Sequence, residues 1–423
     1  MLAERHNYRL EILAVIIVLI FVALISRLTY LQVLQGPYYA RLADGNRIKL
    51  IPIMAPRGIF YDRNSVPLVS NRPGFAVSMV LLGGKPQDEV IRRLAVVLNM
   101  DVQEIRKKLE QNAGSFEPVR IKSDIGQDVV TRIEERRDDF PGVVIEIQPI
   151  RNYVNGEMGA HVFGYVSEIN DVELEKRKKD GYKAGDIIGK FGLEYLYDRQ
   201  LRGSDGGGQV EVDVNGRPVQ VLGKKEPVPG ENLVLTLDYR IQKAAEEAVD
   251  AQMQYLQTKT EYYNAKAAAA VVVNPKTGEI LAMVSRPGFN PNLFAGGISS
   301  KEWNKLNENP FHPMDNKAIA GEYAPGSTFK VVTGAAALEL GKVTPEEKIL
   351  DTGQHWIIDK KNAAGEALGW INFREALSQS DNVYFYEMGN RLGIDNLEKY
   401  ARLFGLGDYT GINLPGESDG LVA

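Results

Sequence analysis

Two short clusters in this 423-residue sequence hold side chains that could do chemistry together. The first is Tyr323-Ala324-Pro325-Gly326-Ser327-Thr328-Phe329-Lys330, running on into Val331-Val332-Thr333-Gly334-Ala335-Ala336-Ala337-Leu338. Pro325-Gly326 ends a loop, and the apolar run after it predicts a helix. Ser327 falls in its first turn and Lys330 one turn on, on the same face. A serine hydroxyl is a weak nucleophile unless a base stands beside it. Lysine becomes that base when burial disfavours its ammonium form. The helix N-terminus adds partial positive charge near the reacting atom. A bare Ser-x-x-Lys match is weak, since chance supplies about one in a chain of this size. A helix cap with a snorkelling lysine would explain it too. The apolar helix tips the balance, because an ionisable head there is costly unless it is used. The second cluster, Ser380-Asp381-Asn382, separates helical stretches predicted at 373–377 and 383–392. Alone, it reads as an N-cap loop.

Composition narrows the remaining chemistry. The chain has no cysteine and four histidines, His6, His161, His312 and His355. Disulfides and thiolate catalysis are excluded, and no histidine pair has the spacing of a metal site. No cofactor is expected. Formal net charge is -5, and no basic run is long enough to track a phosphate backbone, so nucleic acid is not a partner.

The elements that must position the two clusters follow from periodicity. Ile12 to Ser26 is an uncharged run, and apolar character resumes from Leu28 to Val33. As a helix, 10–33 would be roughly 36 Å long, enough to cross a bilayer. A core helix would rarely be apolar on every face at a chain terminus. A signal peptide should end in small residues, and Leu24-Ile25-Ser26-Arg27 is a poor cleavage site. Arg5 and Arg9 place the N-terminus in the cytoplasm and the bulk of the chain outside. From 34 to 237 the pattern is mixed. Helices capped by Asp88 and Asp101 are predicted, with a helix at 127–138, strands at 118–122 and 143–147, and a glycine-rich hairpin loop at 203–208 before a strand. From Asp238 a helix at 241–256 precedes a hairpin, 267–273 and 279–285, whose turn is Asn274-Pro275-Lys276-Thr277-Gly278. The fold class is α+β, with helices on an antiparallel sheet after an elongated mixed α/β region.

Beside Ser327 and Lys330, Ser380-Asp381-Asn382 resembles the second motif of the penicillin-recognising serine enzymes. Asn274 to Ser285 resembles the hairpin that opens their catalytic domain. Ala55 to Asn64, Arg151-Asn152-Tyr153, Gly159-Ala160-His161 and Gly189-Lys190-Phe191-Gly192-Leu193-Glu194 resemble pieces of the non-catalytic pedestal of class B penicillin-binding proteins, closest to the elongation type. Ser65 and Val154 depart from the usual glycine and proline.

The resemblance implies a cytoplasmic tail (1–11), a transmembrane anchor (12–33), a dimerisation-type pedestal (34–237) and a penicillin-binding transpeptidase domain (238–423). It implies a peptidoglycan D,D-transpeptidase acting in cell-wall synthesis and shape. Ser327 would be acylated by a stem peptide or a β-lactam, with Lys330 as base, Ser380 as proton relay and Asn382 as donor to the substrate amide. Implied partners are stem peptides, β-lactams, the membrane and a SEDS-type glycan polymerase, with Arg57 and Asp62 expected on its docking face. The family's third motif, Lys-Ser/Thr-Gly, should follow Asn382, and the sequence reaches Ala423 without one. The transpeptidase domain is therefore expected to be truncated, and the chain itself poorly active. Lys276-Thr277-Gly278 has the right residues but precedes Ser327 in a predicted turn, and is set aside. A serine β-lactamase and a non-catalytic β-lactam sensor or scaffold are the competing readings.

Overall fold

A computed structural model describes residues 2–37, 48–80, 88–111, 118–212 and 218–422. Helix α1 (Leu2–Thr29) continues into a wider turn, Tyr30–Leu34. Val15–Leu34 is long and apolar enough to cross a membrane, and none of it is buried. At 1.5 Å per residue its 20 residues span about 30 Å, the thickness of a bilayer's hydrocarbon core.

The following region is built on one long strand. Strands β1 (Ile48–Ile53), β2 (Phe60–Tyr61) and β3 (Pro67–Met79) lead into helices α2 (Asp88–Leu98) and α3 (Val102–Gln111), β4 (Val119–Ile125), α4 (Gln127–Glu135) and β5 (Val143–Tyr153). β3 is the hub: β5 pairs along it from Val69↔Tyr153 to Met79↔Val143, and β4 pairs with its far half on the other edge. Helices α2, α3 and α4 bury Ile91, Leu94, Ile105, Leu109 and Ile133 over that far half. Fully burying such a side chain is worth about 1.5–3 kcal/mol, so this end has a core of its own. Asp101 Oδ1 accepts from Gln103 N (2.6 Å) at the start of α3, as the capping pattern requires.

Two sequence expectations change here. The glycines at 206–208 are not a loop but the first half of β6 (Gly206–Val212), paired antiparallel to β1 and to β7 (Pro218–Lys225). Glycine is needed at 206 because a Cβ there would lie 2.2 Å from Lys225 O. The strand expected at 143–147 runs on to Tyr153, because β3 supplies it with partners throughout.

Arg57 and Asp62 are buried at 9% and 1% exposure, so neither lies on a docking face. Arg57 donates to Glu194 Oε2 (2.8 Å) and Asp198 Oδ1 (2.9 Å), and Arg151 Nε donates to Glu194 Oε1 (2.5 Å). Arg177, Tyr182 and the Gly189 backbone N–H also donate to Asp198. Burial alone would lower the Arg57 pKa, but the two carboxylates reverse this and hold it raised. Asp62 belongs instead to the joint with the next region. It accepts from the backbone N–H groups of Asn64, Val66 and Tyr239. Burial pushes its pKa up, but these hydrogen bonds outweigh it and leave the carboxyl below its usual value.

Past β8 (Leu233–Val234), which lies parallel to β2, the chain enters α5 (Tyr239–Lys259) through the N-cap Asp238. Helix α5 packs on the hairpin of β9 (Ala268–Val273) and β10 (Ile280–Arg286). The joint is polar as well as apolar. Glu246 of α5 accepts from Gly159 N (2.9 Å) and pairs with Arg286, while Asn292 exchanges hydrogen bonds with the Tyr153 backbone. Met283 and Leu237 share one core with Phe60, Tyr153 and Phe163. The long strand system and the helical region that follows are thus welded rather than merely tethered.

Candidate active site

The site grows from the loop after residue 320. Gly326 takes a left-handed φ of +57, and Gly326–Phe329 forms one tight turn before α6 (Lys330–Glu339). Thr328 Oγ1 donates back to Pro325 O (2.6 Å). Ser327 is exposed on this turn, and among the described residues its hydroxyl has no hydrogen bond. A nucleophile meant to meet a bulky acyl donor needs this open setting.

Helix α6 is buried along one face only, through Lys330, Val332, Thr333, Ala336 and Ala337. That face meets α7 (Phe373–Ser378) and α8 (Asn382–Leu392), where Phe385 and Met388 pack on it. Gly334 permits the approach: a Cβ there would lie 2.7 Å from Phe373 and 3.4 Å from Phe385. The close packing delivers Lys330 to the turn between α7 and α8. Lys330 Nζ donates to Ser380 O (2.5 Å), Ser380 Oγ (3.1 Å) and Asn382 Oδ1 (2.7 Å), and lies 5.7 Å from the Phe385 ring centre.

Three of the four predicted site residues, Lys330, Ser380 and Asn382, therefore meet at one nitrogen. Ser327 precedes Lys330 on the same turn-and-helix segment. Lys330 is 8% exposed and, among the described residues, has no carboxylate within ion-pair distance. Burial lowers its pKa, and the Coulomb effect of Asp381 offsets this only in part. As an ammonium, Lys330 would spend all three protons on the turn. As an amine it can donate to Ser380 O and Asn382 Oδ1 and accept from the Ser380 hydroxyl. Burial makes proton loss easier for Lys330 than for a free lysine.

The turn is itself built. Ser380 adopts a left-handed φ of +54, rare for a residue with a side chain. Asp381 caps α8 by accepting from Tyr384 N (2.6 Å). The N-cap reading of Ser380-Asp381-Asn382 thus holds at Asp381, while Ser380 and Asn382 face the lysine. Behind the turn stands a group the sequence reading missed. Asp351, which ends β11 (Ile349–Asp351), and Asn362, from the loop leading to β12 (Gly369–Ile371), are both buried against Asp381. Asn362 Nδ2 donates to Asp351 Oδ2 and Asp381 Oδ2 at 2.9 Å each. Burial and the facing Asp351 push the Asp381 carboxyl up. Nothing in Lys360-Lys361-Asn362 distinguishes it from an ordinary polar loop.

Lys276-Thr277-Gly278 occupies the exposed turn between β9 and β10. Asn274 Oδ1 accepts from Lys276 N, Thr277 bonds Glu279, and Gly278 supplies a φ of +76. Its residues serve the turn.

Two family descriptions match the chain: the penicillin-binding protein dimerisation domain over residues 52–235, and the penicillin binding protein transpeptidase domain over residues 268–423. A protein of Acinetobacter baumannii, named peptidoglycan D,D-transpeptidase MrdA, is 36% identical over 99% of this chain and 61% of its own length. The protein of that name from Escherichia coli K12 is 34% identical over 96% of this chain and 63% of its own. The chain thus spans less than two thirds of these relatives. Among solved structures, a complex between penicillin-binding protein PBP2 and MreC from Helicobacter pylori superposes with a TM-score of 0.72 at 25% identity, covering 89% of this chain and 69% of that one. A structure titled for the coordination of polymerization and crosslinking by a peptidoglycan synthase complex gives a TM-score of 0.63 at 33% identity, covering 98% and 70%.

Proposed function

Because the chain belongs to the penicillin-binding proteins that join a dimerisation domain to a transpeptidase domain, we propose that it is a peptidoglycan D,D-transpeptidase with Ser327 as its nucleophile. One observation carries this reading: a buried lysine without a carboxylate partner among the described residues, one turn from an exposed serine, held by Ser380 and Asn382.

The reaction runs in two balanced halves. Ser327 Oγ attacks the carbonyl carbon of the penultimate D-Ala of a stem peptide, and Lys330 as free amine takes the hydroxyl proton. The peptide C–N bond breaks, the terminal D-Ala leaves with a proton returned through Ser380, and an ester remains on Ser327. The amine of a second stem then attacks that ester, a new amide forms, and Ser327 regains its proton. The Ser327 backbone N–H, at a turn that opens a helix, would donate to the oxygen that becomes negative. Asn382 Oδ1 is engaged by Lys330, and one Nδ2 proton goes to Lys361 O (3.2 Å), leaving the second for the substrate amide. β-Lactams enter the same first half and stop at the ester.

The N-terminal helix serves as a single-pass anchor, with residues before it cytoplasmic and the catalytic region outside. A SEDS-type polymerase is the proposed partner of the pedestal. The synthase complex among the structural neighbours supports such an assembly. With Arg57 and Asp62 buried, the docking face uses other residues. The relatives' names give no support to a β-lactamase or a sensor. The function is tested by labelling the full-length protein with a fluorescent penicillin and mapping the adduct by mass spectrometry. The ester should lie on Ser327, and Ser327→Ala should abolish it; persistent labelling at another residue would refute the assignment.

A further inference from the structure

The turn carrying Ser380 and Asn382 is strained, since a side-chain-bearing residue in the left-handed region costs about 1 kcal/mol or more and survives only when its surroundings hold it. Part of that hold is local, through Ser380 N to Leu377 O (3.2 Å) and Asp381 N to Ala376 O (2.8 Å). The rest arrives from one side chain in another element. Asn362 Oδ1 accepts from the backbone N–H groups of Asn382 (2.8 Å) and Val383 (3.3 Å), two first-turn donors that α8 cannot satisfy itself. Its Nδ2 reaches the Asp381 carboxyl on one side and Asp351 on the other, and also Glu366 O (3.0 Å). Asp351 is fixed in turn by Gly353 N and Leu368 N, both at 2.7 Å. The next residue back, Lys361, offers its carbonyl to Asn382 Nδ2. The loop at 352–368 is therefore a mould against which the turn is cast, with Asn362 as its contact point.

We infer that Asn362 is a positioning residue for the acylation of Ser327: its carboxamide fixes the Ser380–Asn382 turn so that Ser380 Oγ and Asn382 Oδ1 stay aimed at Lys330 Nζ. The residue type fits the task, because few side chains present an acceptor and two donors in one plane. Aspartate would crowd three carboxyls together. Leucine would orphan two N–H groups and Asp381 Oδ2. The inference rests on the reading of Ser327 as nucleophile.

Two measurements test it in the full-length protein. In the first, the acylation rate constant for a β-lactam is separated from its non-covalent affinity, per folded molecule, for Asn362→Ala and Asn362→Ser. Misplacing a catalytic group by about 1 Å costs on the order of 10²-fold in rate. Asn362→Ala should therefore lose 10- to 100-fold in the rate constant with less than threefold change in affinity. Asn362→Ser, which keeps an acceptor oxygen, should recover part of the loss. Equal and unchanged rate constants in both folded variants would overturn the inference. The second needs no variant: the Asn382 and Val383 amides should exchange hydrogen at least tenfold more slowly than an open helix N-terminus does. Exchange at the open rate would overturn it too, even if neither variant folds. A protein that still labels as Ser327→Ala would sink the nucleophile assignment and leave the exchange result untouched, so the two failures are distinguishable.

Discussion

This molecule buries cationic side chains in two places and treats them in opposite ways. In the pedestal, Arg57 and Arg151 converge on Glu194, which is fully buried, and Arg57 reaches Asp198 as well. Each cation there has a carboxylate at hydrogen-bond distance, and the Arg57 pKa is raised. In the catalytic region Lys330 meets a carbonyl, a hydroxyl and an amide oxygen, and its pKa is lowered. Dipoles solvate a charge without fixing it; a carboxylate fixes it. The first arrangement is a structural staple, and the second is the setting that the proposed base requires. Residue type reinforces the contrast, since guanidinium stays charged and ammonium can lose its proton when buried.

The largest expected effect is on the catalytic side. Lys330→Arg keeps the charge but removes a base, and general-base catalysis is worth about 10²–10⁴-fold. Acylation measured in the folded variant should fall by that factor. A loss under tenfold would mean that Lys330 only organises the turn. The mirror experiment is Glu194→Ala, which leaves the buried Arg151 guanidinium without its carboxylate and Arg57 with Asp198 alone. Breaking a buried pair by removing one partner costs about 3–5 kcal/mol, read as a lower unfolding midpoint in denaturant. Wild-type stability would show the cluster to be ornamental.

A smaller effect lies at the joint. Burial lowers the His161 pKa to about 4, where Nε2 faces Pro313 O at 2.7 Å. A histidine with a depressed folded pKa contributes stability that is whole above its unfolded value, 6.5, and lost as pH falls toward 4. Asp62 and Asp238 also have lowered values, Asp238 mainly through its bond from Asn64. Their stability is whole above 3.8 and drains below it. The melting temperature should therefore fall with acid in two stages, the first at up to about 1.4 kcal/mol per pH unit. His161→Gln should remove only the first stage; an unchanged profile would place the acid sensitivity elsewhere. The smallest effect completes the comparison. Lys330→Met should shift stability by no more than about 1 kcal/mol, because the lost hydrogen bonds are offset by relief of a buried charge that Asp381 compensates only in part. A loss comparable to that of Glu194→Ala would erase the distinction between the two regions.

Legibility from sequence divided along physical lines. Ser327 and Lys330 could be picked out because local signals mark them, a loop-to-helix switch and a lone ionisable head on an apolar helix, whereas Ser380 and Asn382 stood out only through the resemblance of their tripeptide to a family motif. The hairpin at 268–286 was visible through its turn chemistry. What stayed hidden was set by partners distant in sequence. Asn362 and Asp351 act through contacts across a loop, and their neighbours carry no periodicity. Arg57 and Asp62 were misplaced on the surface, since charged types are usually exposed and only the fold reveals Glu194 and Tyr239 waiting for them. The glycines at 206–208 likewise became strand because β1 and β7 flank them.

The most direct test of the central claim is the pH dependence of the second-order acylation rate of Ser327 by a β-lactam, which reports the free enzyme's base. The rate should rise with pH along a single ionisation whose midpoint lies below the ordinary lysine value of 10.5, and that ionisation should vanish in Lys330→Arg. A midpoint at or above 10.5, or one that persists in Lys330→Arg, would contradict the account.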